Sequence, residues 1–325
     1  RGTDRLGPTD HFDLIRRTGG TTNGYTNFDS TTYLETLPSN QLDLALWLEA
    51  ERMALLRIDQ ESFETERKVV EEERRMGLNR PFGTLAENMM AEMFKVHPYR
   101  WTPIGKIPHL RAAKLQELRD FWDRYYVPNN ATLVIVGDVQ HEAAQQLARK
   151  YLGWIPRVAD PVRVTVREPI PTASREVTIR EQNAPVPVIM VAYRTVPTAH
   201  EDTVPLGLLS TILANGQSSR LYRELVAEKQ LAVAAQAMEM SLEQDGVLGL
   251  MAVLSPAGSQ PDEVLGVITE HVDRVRREAV SPEELAKAKN QQLAQQVTQN
   301  LTIDSKARTV GYAAVVEGDV SRVNR

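Results

Sequence analysis

Apolar Leu42, Leu44, Leu46, Trp47, Leu48 and Met53 follow Pro38-Ser39 and predict a helix there. Ahead of it the pattern predicts a helix at about 9–18 and a strand pair, Thr21–Asp29 and Thr31–Leu37. Three more helical stretches come next, with Lys114–Tyr126 among them, and the unbroken run Ala131–Val136 reads as a buried strand. Prolines then crowd the chain at 156, 161, 169, 171, 185 and 187, interleaved with β-branched stretches such as Val162-Arg163-Val164-Thr165-Val166. Proline at that density breaks helices and confines strands to edges or starts. The reading is a linker near 155–172, dividing an N-terminal domain, 1–160, from a C-terminal one, 161–325. The fold class is α+β.

The order of elements recurs after the linker. Helix Leu221–Lys229, strands Leu231–Met240 and Gly246–Leu254, helix Asp262–Arg276 and a helix opened by Ser281-Pro282-Glu283-Glu284 repeat the first half and suggest a second copy of one domain. In that register Phe63 aligns with Leu285, Glu66 with Ala288 and Glu73 with Gln295. The first half lacks counterparts of strand Val186–Tyr193 and helix Val204–Leu213, and the second half stops before its versions of Lys114–Tyr126 and Ala131–Val136.

One helix is chemically odd. Helical periodicity over Phe63, Glu66, Val69, Val70, Glu73 and Met76 sets two carboxylates in the middle of an apolar face, with Arg67, Lys68, Glu71, Arg74 and Arg75 pointing away. Buried carboxylates need a cationic partner, a side chain or a metal ion. The second copy has Ala and Gln at those positions. A solvated run Glu71-Glu72-Glu73 is the plainer alternative.

Composition narrows the chemistry. The 325 residues carry a formal net charge of −5, which offers no basic footprint for nucleic acid or an anionic membrane surface. No cysteine is present, so any metal is held by His, Asp or Glu. The histidines His11, His97, His109, His141, His200 and His271 are scattered, with no pair at helical spacing, and each reads as a surface or capping residue. There is no apolar run of about 18 residues, and the first residues have neither an initiating Met nor a signal peptide's apolar region. The compartment stays open between a bacterial cytoplasm and periplasm.

Gly19-Gly20-Thr21-Thr22-Asn23-Gly24-Tyr25-Thr26, Asp29, Thr32-Tyr33, Leu37-Pro38, Leu48-Glu49-Ala50-Glu51-Arg52-Met53 and Glu66-Arg67-Lys68-Val69-Val70-Glu71-Glu72-Glu73 resemble the pitrilysin/insulinase family of zinc metallopeptidases, in its mitochondrial-processing-peptidase-like branch. Tyr126-Val127-Pro128-Asn129-Asn130, Val136-Gly137-Asp138 and Ser218-Ser219-Arg220-Leu221 fit as well. The resemblance implies two tandem homologous α/β-sandwich domains, antiparallel-rich sheets covered by helices, forming half of a clamshell. It implies a zinc-dependent endopeptidase for unfolded or short polypeptides, with Glu73 as a metal ligand and Glu66 as its supporting acid. The family's remaining ligands lie in an inverted H-x-x-E-H, absent here and expected just before Arg1. The expectation is therefore zinc in the intact protein and an inactive piece without it. A non-catalytic structural or assembly subunit is the alternative.

Two further expectations rest on the resemblance. Asn23, Gly24, Tyr25 and Thr26 form an edge strand to which a substrate peptide adds by main-chain hydrogen bonds, although by itself Asn23-Gly24 is only a weak turn signal. Val226 and Val233 stand where relatives often carry an Arg and a Tyr that reach the scissile carbonyl. That departure fits a homodimer or heterodimer with a second family chain, in which the partner supplies the donors.

Overall fold

The computed structural model describes residues 2–324. In chain order the elements are α1 (Asp10–Arg17), β1 (Thr21–Thr26), β2 (Thr31–Thr36), α2 (Leu42–Leu55), α3 (Gln60–Leu78), α4 (Leu85–Met93), α5 (Ile107–Ala112), α6 (Leu115–Tyr125), α7 (His141–Leu152), β3 (Val188–Thr195), α8 (Thr203–Ala214), a π-helical stretch Tyr222–Glu228, β4 (Ala232–Ser241), β5 (Gly246–Leu254), α9 (Pro261–Arg277), α10 (Pro282–Gln299) and α11 (Ile303–Val315). They pack into two compact units. The first holds the chain up to Met76, Pro103–Val166 and the segment from Asn300; the second holds Gly77–Thr102 and Arg167–Gln299.

In the first unit β1 and β2 pair antiparallel, with Thr22 opposite Glu35 and Gly24 opposite Tyr33. Asn27 turns the chain between them. Its Oδ1 accepts from the backbone N–H groups of Asp29, at 2.9 Å, and Ser30, at 2.8 Å, which is the way Asn mimics a backbone turn. Asn23-Gly24 lies inside the strand. Ahead of it, Gly20 admits close packing: a Cβ there would meet the Thr36 carbonyl oxygen at 2.7 Å. Leu6, Ile15 and Leu48 form the buried centre, flanked by Leu14, Leu37, Leu44 and Trp47. Glu51 is sealed within this unit, accepting from Thr3 Oγ1 at 2.8 Å and pairing with Arg5. Sequence periodicity did not single it out.

The run Ala131–Val136 is not the buried strand its composition predicts. It has no strand assignment among the described residues, and Leu133 is 47% exposed. A buried strand needs ladder partners for its backbone, and β1 and β2 pair only with each other.

In the second unit β5 is the centre of an antiparallel sheet ordered β3-β5-β4. It is buried along most of its length because Leu248, Leu250, Ala252 and Leu254 pack with Val264, Val267 and Ile268 of α9 and with Leu221 and Leu225. The proline-dense stretch between α7 and β3 contains no helix or strand. Part of it is nevertheless tied down within the unit. Glu168 accepts from the backbone N–H groups of Lys95, Val96 and His97 at 2.8–2.9 Å, and Glu181 accepts from Thr84 N at 2.9 Å. These bonds explain why Gly77–Thr102 packs with the second unit rather than with its sequence neighbours.

Candidate functional site

Helix α3 carries the acids singled out by periodicity, and its buried stripe differs from the expected one. Phe63 and Arg74 are buried, and Arg67 and Val70 between them are half-buried, so positions at i, i+4, i+7 and i+11 face inward. Arg67 donates to the Ala113 carbonyl and sets its guanidinium 4.4 Å from the Phe63 ring centre. Long arginine stems cover apolar surface in this way while their charged ends find partners. Glu71, expected to point away, pairs with Arg75 and Arg111, and the Arg111 guanidinium holds its carboxyl below the usual range.

Glu66 is half-buried and Glu73 exposed, so the two do not form the buried pair expected from the sequence. The physical reason lies in the rest of that stripe. Val69 and Met76, which flank Glu73 on the same face, are each 56% exposed, and no described residue covers them. Glu73 also belongs to no group of three convergent metal-ligand side chains among the described residues. A zinc ion needs about four donors, so the donor set present at Glu73 does not fit a zinc centre on its own.

The corresponding face of the second unit is covered only at its start, Gln291, Gln295 and Thr298 further along it being exposed. Ala288 on α10, aligned with Glu66, is 1% exposed, and α10 packs against α8. Gln292 and Gln295, the latter aligned with Glu73, line a polar groove of about 350 Å³ with Gly207, Ser210 and Glu239. Burial pushes the Glu239 carboxyl above its ordinary range.

Of the substrate-strand residues, Asn23, Gly24 and Thr26 are exposed and Tyr25 is half-buried, its ring centre 4.9 Å from the Arg308 guanidinium carbon. Among the described residues β1 has a strand partner along β2 only, which leaves its other edge without one. Asn23 Oδ1 accepts from Gly24 N at 2.8 Å, and a Cβ on Gly24 would sit 3.3 Å from Tyr33 Cδ1. A side chain at position 24 would therefore press on the Tyr33 ring of the neighbouring strand, which would have to shift by a few tenths of an ångström. Val226 packs on the second unit's core and Val233 is exposed; neither has a polar side chain.

The histidines are not all surface or capping residues. His97 caps the short turn Pro98–Arg100, its Nδ1 accepting from Tyr99 N, and His200 is a surface residue whose Nδ1 accepts from Asp202 N, both at 3.1 Å. His271 lies 2.8 Å from Glu224 Oε2 with its side chain 12% exposed. His11 converges with Glu35 and Glu49, the only group among the described residues with three potential metal-ligand atoms within 4.8 Å of one another. Burial pushes the Glu35 carboxyl up to about 7, with the His11 contact opposing the rise and the Glu49 charge adding to it. Spacing cannot reveal this group because its members come from α1, β2 and α2; the one signal is a lone acid inside the run Thr31–Leu37.

Comparison with known proteins agrees with this architecture. Residues 3–104 match the family model "Insulinase (Peptidase family M16)", and residues 112–292, more than half of the chain, match "Peptidase M16 inactive domain". The zinc protease PqqE of Helicobacter pylori is 29% identical over 98% of this chain and 72% of its own length. An uncharacterized zinc protease of Mycobacterium leprae is 26% identical over 86% of this chain, which spans 63% of that protein. The crystal structure of a protease from Helicobacter pylori superposes with a TM-score of 0.91 at 28% identity, covering 99% of this chain and 78% of the other. With both family models matched in order along an α+β chain of this topology, the chain belongs to the insulinase family of peptidases, M16.

Proposed function

We propose that this chain supplies one metal ligand and the substrate strand of a zinc-dependent endopeptidase acting on unfolded or short polypeptides. The observation that carries the reading is the contrast between the two repeats. In the second unit α8 lies against α10 at Ala288, aligned with Glu66, and shares with α10 the groove lined by the exposed Gln295, aligned with Glu73; in the first, α3 keeps acids at both positions. A helix placed over α3 as α8 is placed over α10 would cover Glu66 and Val70 and bring its own side chains to a groove shared with Glu73. We infer that this helix brings the remaining metal donors from outside the 325 residues, with Glu73 as a ligand and Glu66 as its supporting acid.

The open edge of β1 supports peptide addition along Asn23–Thr26. Valine at 226 and 233 supports a two-chain enzyme whose second family member provides hydrogen-bond donors for the developing oxyanion. The exposure of Glu73 and its lack of convergent ligands favour a second reading, a non-catalytic structural or assembly subunit.

One experiment separates them. The natural polypeptide that carries this chain is assayed on an unfolded protein before and after chelation. Hydrolysis that stops with chelator and returns with zinc supports the peptidase, whereas no hydrolysis under any metal condition, with and without a second family chain, supports the assembly subunit.

A further inference from the structure

We propose that His11, Glu35 and Glu49 form a zinc site that cross-links α1, β2 and α2 within the first unit. The three side chains arrive from the first turn of α1, from the β2 position opposite Thr22, and from the middle of α2. Their ligand atoms lie within 4.8 Å of one another, and His11 Nε2 is 2.9 Å from Glu35 Oε1. Tetrahedral bonds of about 2.0–2.2 Å to a common ion place donors about 3.3–3.6 Å apart. The set therefore closes on a metal with side-chain movements of up to about 1.4 Å, with water as the fourth donor.

Glu35 points to a cation. Its side chain is only 7% exposed, and both carboxylate oxygens are sealed from solvent without accepting a hydrogen bond. His11 Nε2 is near one oxygen but not aligned as a donor to it. A buried carboxylate in that state is costly unless an ion or donor meets it. The nearby cationic side chain is committed elsewhere: Arg52 donates through Nε to Glu49 Oε1 at 3.3 Å and through Nη2 to Oε2, with its guanidinium carbon 3.5 Å from the Tyr33 ring centre. In the state that binds a metal, with His11 neutral and both carboxylates ionised, two carboxylates against one guanidinium leave a negative charge that a divalent ion neutralises.

The donor chemistry selects the ion. One imidazole with two carboxylates suits zinc, whereas calcium and magnesium take oxygen donors. The consequence concerns β1. Its strand partner among the described residues is β2, so an ion fixing β2 to two helices also holds the strand along which a peptide is proposed to add. This site is independent of Glu73.

The test is the zinc content of this chain after dialysis against about 1 µM free zinc. The expected result is about one zinc per chain, falling below about 0.1 in Glu35→Gln and in His11→Gln and unchanged in Glu73→Gln. Zinc should also raise the thermal midpoint of the parent chain by about 3 °C or more and leave both site variants unmoved. Circular dichroism in chelator shows whether each variant keeps the parent's fold; should one fail, the parent's own stoichiometry decides. Fewer than about 0.1 zinc in the parent, full zinc in both folded site variants, or loss of zinc in Glu73→Gln overturns the proposal.

Discussion

Arg220 grips Glu284 with two parallel hydrogen bonds, Nε to Oε1 and Nη2 to Oε2, each of 2.7 Å. The pair gives the Ser218-Ser219-Arg220-Leu221 motif a structural meaning. Ser219 is buried and donates to the Gly216 carbonyl at 2.7 Å, Leu221 is fully buried in the core, and Arg220 ties that turn to the start of α10. Glu284 also accepts from Ser281 N at 3.1 Å while Ser281 Oγ accepts from Glu284 N, a reciprocal cap that begins the helix.

This pairing predicts an acid-dependent loss of stability. Arg220, chiefly, with the Ser281 N–H, holds the Glu284 carboxyl down at about 2. A carboxyl depressed on folding contributes stability above its unfolded value, near 4.5, and loses it as pH falls from there through about 2. Because the Glu284 side chain is 34% exposed, solvent screening reduces the effect to about 1 kcal/mol. Urea titrations should show the parent losing about 1 kcal/mol more than Arg220→Ala between about pH 5 and pH 2. At neutral pH the variant should be about 1–2 kcal/mol less stable. Equal pH dependence in the two proteins would show that the bond is not maintained in solution.

Main-chain addition at β1 makes a separate prediction. Backbone hydrogen bonds tolerate side-chain changes, so Asn23→Ser should alter peptide affinity by less than about threefold. Peptides N-methylated at alternate amides should bind at least about tenfold more weakly. The reverse pattern, with Asn23→Ser decisive and N-methylation harmless, would rule out strand addition.

For a two-chain enzyme, the double variant Val226→Arg with Val233→Tyr should make the natural polypeptide less dependent on its partner. A missing oxyanion donor typically costs about 10²–10³ in rate. Steady-state hydrolysis by the unpartnered double variant should rise by at least about tenfold. An unchanged rate, with the partner still stimulating the parent, would place the donors elsewhere.

The sequence made the secondary structure legible where periodicity and punctuation agree: the hairpin Thr21–Leu37, helix α2 after Pro38-Ser39, and the paired strands β4 and β5 all fall where the pattern predicts them. It failed at Ala131–Val136, because composition reports an affinity for burial and cannot report whether ladder partners exist. The inward face of α3 was misread for a related reason. Phe63, Val69, Val70 and Met76 define an apolar stripe, but Arg67 and Arg74 compete for the interior with long aliphatic stems, and the carbonyl that Arg67 reaches, at Ala113, comes from tertiary structure. The His11, Glu35 and Glu49 convergence was invisible for the simplest reason, since no local spacing links three elements. Glu51, the most deeply buried acid of the first unit, was hidden in the same way: Thr3 and Arg5 lie far from it along the chain.

The proposed role of Glu73 as a metal ligand is tested most directly by the hydrolysis of an unfolded polypeptide by the natural polypeptide bearing Glu73→Gln, with Glu35→Gln measured alongside. Replacing a ligand carboxylate by an amide should lower kcat about 100-fold or more, while Glu35→Gln, which acts only through the substrate strand, should raise KM and keep the zinc dependence of kcat. Parent-like rates and zinc dependence in Glu73→Gln would contradict the account.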